Sequence, residues 1–575
     1  MEEKKLTGYP SIDKPWLKYY SEEAVNTPMP ECTVYDYLWK SNKDHLNRTA
    51  LRYLERKITF REMFENIEKT AKAFTAIGLK KGDIIIMTTV TTPETVYAFY
   101  ALDRLGIIPN MVDPRTSTEG IREYIQEVDA KVVLTLDVAY PKIEKAIEGT
   151  SVEHIIVTSP ADSLPAVKKA LYITASKIKG ETCNFADNCV LWKQFIANGI
   201  QSQLAEVPYI KDTCCVIVHT GGTTGFPKGV MLSNENINAL VLQSILTGID
   251  MKREHTWMDI MPPFIAYGIG MGLHLPLVIG METILVPSFN AKKFDELLLK
   301  HKPIHMVGVP SYWGTIIKSK KLVKQNLSFI IAPTVGGDAM DTTLERNSNE
   351  FLRSHKCDYP ITKGYGMTEV SAGVAGTVTD NNEIGSVGIP FVKTVISVFD
   401  PETGEELKYN EPGEICISGP SVMLGYYNNE SATKEIKRTH SDGSVWIHSG
   451  DIGYITENGS LYIVDRIKKM IIRYDGFKVF PSLIEKTVVM HKAVASCCAV
   501  AIRDKNHSQG KLPIVFAVLN GGADAKKVKA DLYELCKKEL PEYAQPVDFV
   551  FIDKMPLTPI GKVDYRTLEK EAEKI

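Results

Sequence analysis

The chain has 575 residues, 44% hydrophobic and 24% charged, and 67 basic against 70 acidic side chains leave a net charge of −3. This mixture excludes a disordered chain, and the near balance of charge excludes a dedicated nucleic-acid binder. At roughly 150 residues per domain the length allows several units, while 10 cysteines without a C-x-x-C pair, and with no histidine cluster beside them in sequence, exclude a disulfide scaffold. The first 30 residues are polar, aromatic and dotted with proline, and read as an extended surface arm. "ALRYLERKITF" from Ala50 reads as a hairpin. "FREMFENIEKTAKAFTAIGL" has apolar positions at helical spacing and stops at Gly78. "KGDIIIMTT" reads as a strand, "TPETVYAFYALDRLGI" as a helix and "AKVVLTL" as another buried strand. Strands alternating with helices predict parallel sheets with crossover helices.

The segment 160–203 is less regular. Its "PAVKKALYITASKIKG" reads either as a surface helix with solvated lysines or as a weak adhesion site for an anionic membrane. "CCVIVHT" at 214–220 is a buried strand that runs into a glycine-rich loop. "NENINALVLQSIL" follows as a helix, with Ser233 or Asn234 as N-cap and Gly248 as stop. The apolar run Gly268–Pro287 is interrupted by His274, Pro276 and Glu282, so it predicts a buried helix followed by a strand rather than a membrane span. Gly268, Gly270 and Gly272 within it either leave room for a tunnel or allow close helix packing.

"TILVPS", "HMVGVP" and "FIIAPTVGG" continue the alternation. After about residue 384 the pattern changes to short β pieces, including a hairpin marked by Asn458-Gly459. A charged stretch, "DRIKKMIIRYDGFKVFP", ends at Pro481. Beyond it lie a helix at 481–490, strands near 496–502 and 513–519, a helix near 525–539 and a strand near 547–552. The expected boundary lies at Asp465–Lys468, giving domains 1–465 and 466–575. MEEKKLTGYP lacks the apolar run of a signal peptide, so the expected compartment is a reducing cytoplasm.

The loop His219-Thr-Gly-Gly-Thr-Thr-Gly-Phe-Pro-Lys-Gly229 suits phosphate. Its glycines let backbone N–H groups approach, Thr220, Thr223 and Thr224 offer hydroxyl donors, and Lys228 supplies a mobile cation. The Walker spacing G-x-x-x-x-G-K-[ST] is absent. "HTGGTTGFPKGVML" resembles the signature loop of the adenylate-forming superfamily, which includes acyl-CoA synthetases, aryl-CoA ligases, peptide-synthetase adenylation domains and beetle luciferases. "GYGMTE" at 364–369, "SGDIGY" at 449–454, "DRIKKMII" at 465–472 and "PLTPIGKVDY" at 556–565 follow in that family's order.

The resemblance implies an α/β fold. A large N-terminal domain would hold α/β sheet subdomains and a small β-barrel-like part, followed by a small mobile C-terminal α/β domain turning about 465–468. It implies a two-step reaction, of the fatty-acyl-CoA synthetase kind. A carboxylate attacks the α-phosphorus of ATP and releases pyrophosphate, and the thiol of coenzyme A then displaces AMP. Two anions must meet, so positioning and electrostatic stabilisation dominate.

By the same resemblance Thr220, Gly221, Gly222, Thr223, Thr224, Gly225 and Lys228 cradle the β- and γ-phosphates. Glu369 binds Mg²⁺ through a hard carboxylate oxygen, and Thr368 donates to the α-phosphate. Tyr365 stacks on adenine, with Gly366 beside it in the nucleotide set. Gly336, Gly337 and Asp338 border adenine and the acyl chain, although Asp338 also suits a plain turn. Asp451 receives both ribose hydroxyls, Arg466 holds the ribose and phosphate side, and Lys468 matches the hinge position or is a solvated linker lysine. Lys562 bridges the substrate carboxylate and the α-phosphate as a point charge on a flexible stem. The strip Arg473–Lys478 would face a thiol channel after rotation, although "RYDGFKVF" is about one residue longer than in many relatives, which leaves Gly476 and Lys478 without a settled alignment.

"MPPFIAYGIGMG" departs from the family pattern P-x-F-H-x-x-G, with Ile265 at the histidine position. Tyr267 is the nearby group able to replace its donor. Phe264, Ile265, Ala266 and Tyr267 include no carboxylate to pair with an α-ammonium, and burying one unpaired is costly. The expected acid is therefore apolar, a medium- or long-chain fatty acid, with aryl and steroid-like acids open. CoA is the expected acceptor, since no carrier-like segment follows Ile575. A separate carrier protein as partner, and a non-catalytic nucleotide-binding relative, are the alternatives. No nucleic-acid partner and at most peripheral membrane contact are expected, and oligomeric state is not legible.

Overall fold

The computed structural model describes residues 6–165, 168–170, 172, 185–186, 188–204, 207–220, 227–473, 475, 477–507, 510–557 and 563–575, the side chain of Lys478 excepted. The chain divides into two compact units, one of Trp16–Val395 and Ile417–Ile447, the other of Met1–Pro15, Ile396–Cys416 and His448–Ile575.

The first unit is built from two large sheets. Among the described residues, one has 8 strands in the order 425–426, 229–233, 214–219, 108–111, 84–88, 132–136, 154–158 and 189–191. The strands Ile84–Thr88, Ile108–Met111, Val132–Leu136 and His154–Thr158 pair in parallel. The helices Phe60–Ala76 and Pro93–Leu105 precede strands of this sheet, as alternating β-branched runs and amphipathic helices require. The other sheet has 9 described strands around a parallel centre, with Thr256–Asp259, Glu282–Leu285, His305–Gly308, Ala332–Val335 and Thr362–Tyr365. Thr49–Tyr53 and Arg56–Thr59 form the expected hairpin at one edge. A core containing Trp257, Met258, Met306, Val307, Trp313 and Val335 packs against this second sheet.

Helix ends follow local chemistry. Ser233 caps Asn234–Ile245 by accepting the Asn236 N–H, and the Asn236 side chain accepts the Ser233 N–H in return. This reciprocal pair satisfies two donors that the first helical turn leaves without partners.

The first 30 residues differ from the expected extended arm. Pro10–Asp13 and Glu22–Asn26 are helical and Pro15–Tyr19 is a 3₁₀ turn. Trp16, Tyr20 and Ala24 are buried against Val378, Ile389 and Val392. The aromatic residues that suggested an arm are its anchors, because burying a tryptophan outweighs the low helix propensity of a proline-dotted segment.

The run from Gly268 is a helix followed by a strand. Gly268–His274 is a π-helix, Leu275–Ile279 continues as α-helix, and Glu282–Leu285 is the strand. A Cβ on Gly268 would stand 1.8 Å from the Pro262 carbonyl oxygen, one on Gly270 2.4 Å from Leu240 Cδ2, and one on Gly272 2.6 Å from Asp259 Oδ1. The glycines therefore serve close packing rather than an open tunnel.

In the second unit, Val494–Arg503 pairs antiparallel with Lys511–Leu519, which pairs in parallel with Asp548–Phe551. The helices Pro481–Val488 and Ala525–Glu539 cover this sheet around Val488, Val515, Leu532 and Phe549. The Asn458-Gly459 turn joins Val445–Ile455 to Leu461–Arg466 in antiparallel register. Among the described residues no helix is long and apolar enough to cross a membrane.

Candidate active site

The glycine-rich loop leaves the strand Cys214–His219 and returns into Gly229–Ser233, which pair antiparallel with His219 opposite Gly229. Its feet are tied together. The Thr220 N–H donates to the Lys228 carbonyl at 3.1 Å, and the Lys228 N–H donates to Thr220 Oγ1 at 3.3 Å. Gly221, Gly222, Thr223, Thr224 and Gly225 lie outside the described residues. His219 is half-buried beside Tyr124, with Nε2 2.6 Å from Asn110 Oδ1. Burial pushes its pKa down to about 4, so it adds no cation at neutral pH.

Lys228 and Glu369 are brought together by a residue that sequence reasoning missed. Gly425–Tyr426 pairs with the strand after the loop, placing Tyr426 opposite Val230. Lys228 Nζ lies 4.8 Å from the centroid of the Tyr426 ring, and the Tyr426 hydroxyl donates to Glu369 Oε1 at 2.7 Å. Burial, with the Glu369 charge behind it, raises the Tyr426 pKa and keeps the phenol protonated as a donor. Cation, ring and carboxylate thus form one chain of contacts at the loop's foot.

Glu369 is 6% exposed, inside the 3₁₀ turn Thr368–Val370. Its carbonyl accepts the Met423 N–H at 2.9 Å. Thr368 is half-buried beside it, and Tyr365 and Gly366 lie at and just beyond the end of the strand Thr362–Tyr365. Gly366 has no room for a side chain, since a Cβ there would stand 1.8 Å from the Ala372 carbonyl oxygen. The turn is compact: the Val370 and Ala372 N–H groups both donate to the Met367 carbonyl.

Gly336, Gly337 and Asp338 follow the strand Ala332–Val335. Asp338 is exposed, and its carboxylate accepts the Ala339 N–H at 2.9 Å, the behaviour of a turn residue. A Cβ on Gly336 would lie 3.4 Å from the Tyr267 hydroxyl. That hydroxyl is buried and has no hydrogen-bond partner among the described residues. Ile265 is half-buried and packs against the core that contains Trp257 and Trp313.

Asp451, Arg466 and Lys468 belong to the second unit. The antiparallel register sets Asp451 opposite Arg466, and Arg466 Nε lies 2.9 Å from Asp451 Oδ1. Asp451 is 4% exposed, whereas the Arg466 side chain is 59% exposed. Lys468 is exposed in the turn Ile467–Lys469. Just before it, Asp465 accepts the Ser482 N–H at 2.9 Å, tying this stretch to the helix Pro481–Val488. Arg473 pairs with Asp475 and donates to the Tyr543 carbonyl, and Gly476 lies outside the described residues.

Lys562 also lies outside them. The residues flanking its segment are fixed: Leu557 bridges Val563, the Asp564 N–H donates to the Pro556 carbonyl at 2.9 Å, and the Tyr565 hydroxyl donates to Glu485 Oε1 at 2.9 Å.

The cysteines form no disulfide among the described residues, in keeping with the absence of a disulfide scaffold expected from sequence. The described ones are free thiols. Cys416 lies with Glu414 and His448 in a buried cluster, although no histidine neighbours it in sequence.

Comparison with known proteins places these residues in context. The family model described as AMP-binding enzyme matches residues 38–427, and that of the AMP-binding enzyme C-terminal domain matches 483–562. A long-chain-fatty-acid–CoA ligase of Bacillus subtilis (strain 168) is 30% identical over 571 residues, covering 97% of this chain and 98% of that one. The 4-coumarate–CoA ligase CCL1 of Humulus lupulus is 28% identical, covering 88% of this chain and 87% of that one. Among solved structures, the anthranilate CoA ligase AuaEII in complex with anthranoyl-AMP shares the fold, with a TM-score of 0.81 at 19% identity over 96% of this chain and 98% of that one.

Proposed function

The chain belongs to the AMP-binding enzyme family, as an AMP-forming acid–CoA ligase, and we propose that it activates a medium- or long-chain fatty acid to the acyl-adenylate and passes the acyl group to CoA. The observation that carries this reading is the contact chain Lys228–Tyr426–Glu369 at the foot of the glycine-rich loop. It offers a cation for phosphate and, two contacts away, a buried carboxylate.

In the first step a carboxylate oxygen attacks the α-phosphorus and pyrophosphate leaves. In the second a thiolate sulfur attacks the acyl carbon and AMP leaves. Thr220, Lys228 and the residues 221–225 hold the β- and γ-phosphates in this reading, Thr368 donates to the α-phosphate, and Tyr365, Gly366, Gly337 and Asp338 border adenine. Asp451 accepts the two ribose hydroxyls, with Arg466 at its side. Residues 466–575 form the mobile domain, with Lys468 in its hinge and Lys562 bringing the cation that lets two anions approach. Glu369 fits Mg²⁺, because it is a buried carboxylate held in place by Tyr426 and offers a hard oxygen to an ion carried mainly by phosphates. When bound, that ion neutralises phosphate charge. Free thiols throughout the described chain support a reducing, cytoplasmic setting.

The apolar segment Phe264–Tyr267 supports a tail without charge. One observation favours a second reading. The buried Tyr267 hydroxyl lacks a described partner beside Gly336, and an aryl acid with a polar substituent would supply one. An acid panel of varied length and shape, scored by acid-dependent pyrophosphate release and by product mass with CoA, tests both. Fatty acids giving acyl-CoA support the first reading, and hydroxylated aryl acids the second. Free adenylate without thioester points to a carrier protein, and no acid-dependent release points to a nucleotide binder and overturns the assignment.

A further inference from the structure

Asp451 lies inside the strand Val445–Ile455, directly after Ser449 and Gly450, and the side chain and backbone that hold this stretch come from the neighbouring strand Gly413–Ser418. Glu414 Oε1 accepts the Gly450 N–H at 3.1 Å, and Glu414 Oε2 lies 2.8 Å from His448 Nδ1. Ser449 Oγ donates to the Ile415 carbonyl at 2.6 Å and accepts the Asp451 N–H at 3.0 Å. Gly450 sits at φ +70°, the left-handed region that a side chain disfavours. Glu414 and His448 are both buried, 6% and 7% exposed.

A buried carboxylate is costly unless its oxygens are satisfied. Glu414 directs one oxygen to the amide of the left-handed Gly450 and the other to the imidazole of His448, two residues earlier in the same strand. The strand is thereby gripped at His448 and at Gly450, and Asp451 follows immediately. A carboxylate that receives two hydroxyls at once tolerates little rotation. We propose that Glu414 and His448 are positioning residues that hold Asp451 in the orientation needed for both ribose hydroxyls of the nucleotide. This rests on reading Asp451 as the ribose acceptor.

The test is the ratio of kcat/KM for ATP over 2′-deoxy-ATP in acid-dependent pyrophosphate release. Asp451→Asn is the reference and loses this discrimination. Glu414→Gln and His448→Ala each lower the ratio about tenfold, toward that reference. His448→Asn, whose amide N–H can stand where Nδ1–H stands, restores most of it. A purely structural role lowers activity with both nucleotides alike, and an unchanged ratio in folded Glu414→Gln and His448→Ala overturns the inference. An unchanged ratio in Asp451→Asn overturns the ribose reading itself, and this inference with it. Elemental analysis of the wild-type protein addresses the nearby Cys416 Sγ, 3.4 Å from His448 Nδ1. Stoichiometric zinc, lost together with the discrimination in Cys416→Ala, would replace the positioning role by a metal centre.

Discussion

Tyr426 donates its hydroxyl hydrogen to Glu369 Oε1 at 2.7 Å while its ring lies beneath Lys228 Nζ. One tyrosine thus contacts both the cation at the foot of the glycine-rich loop and the carboxylate proposed above to hold magnesium. Its removal has a defined consequence. Tyr426→Phe keeps the ring and loses the hydrogen bond, so pyrophosphate release should fall about three- to tenfold, with a raised Mg²⁺ requirement. Glu369→Gln should fall about a hundredfold or more. Initial rates across a Mg²⁺ titration check this, and a Phe variant with an unchanged Mg²⁺ profile would contradict the coupling.

Lys562→Ala should impair adenylation roughly a hundredfold, because the variant removes a charge needed when two anions meet. Thioester formation from a supplied acyl-adenylate and CoA should change little, since the carboxylate is already activated. Equal loss in the two half-reactions would refute a role confined to adenylation.

Asp259 is fully buried in front of Gly272, and burial raises its pKa to about 8 despite the Met261 N–H that it accepts. The folded value stands above the unfolded one. The folded state therefore holds a proton that the unfolded state releases, and stability falls as pH rises from about 4 toward 8. Asp259→Asn lacks that slope. Its stability relative to the wild type should rise across this window by roughly 1–3 kcal/mol. Denaturant midpoints at several pH values measure it, and parallel curves would mean that Asp259 is ionised in the fold.

Gly268→Ala and Gly270→Ala separate rigid from yielding neighbours. The first forces a Cβ onto the backbone oxygen of Pro262, while the second meets the end of the flexible Leu240 side chain. Gly268→Ala should cost about 3 kcal/mol or more and Gly270→Ala about 1 kcal/mol. Urea midpoints test the order, and the reverse order would count against the packing described for the π-helix.

Much of the fold was legible in sequence. The helix Ala525–Glu539, the strands Val494–Arg503 and Lys511–Leu519 and the cap at Ser233 lie where periodicity and turn chemistry put them. The opening segment was not, because proline and polar residues masked the burial of Trp16 and Tyr20, which depends on partners near residue 390.

The sequence by itself determined the alternating α/β order, the composition of the glycine-rich loop and the succession of motifs that carry Thr220, Lys228, Glu369, Asp451 and Lys562. These are properties of a few consecutive residues, and side-chain period, glycine content and cap chemistry encode them locally. Only the tertiary structure decided that Tyr426 joins Lys228 to Glu369, that Glu414 holds His448 and Gly450 in the strand stretch before Asp451, and that the three glycines from Gly268 are filled by their neighbours. Each of these depends on strand register or close packing between segments distant in the chain. No local pattern specifies which residues such pairing sets face to face.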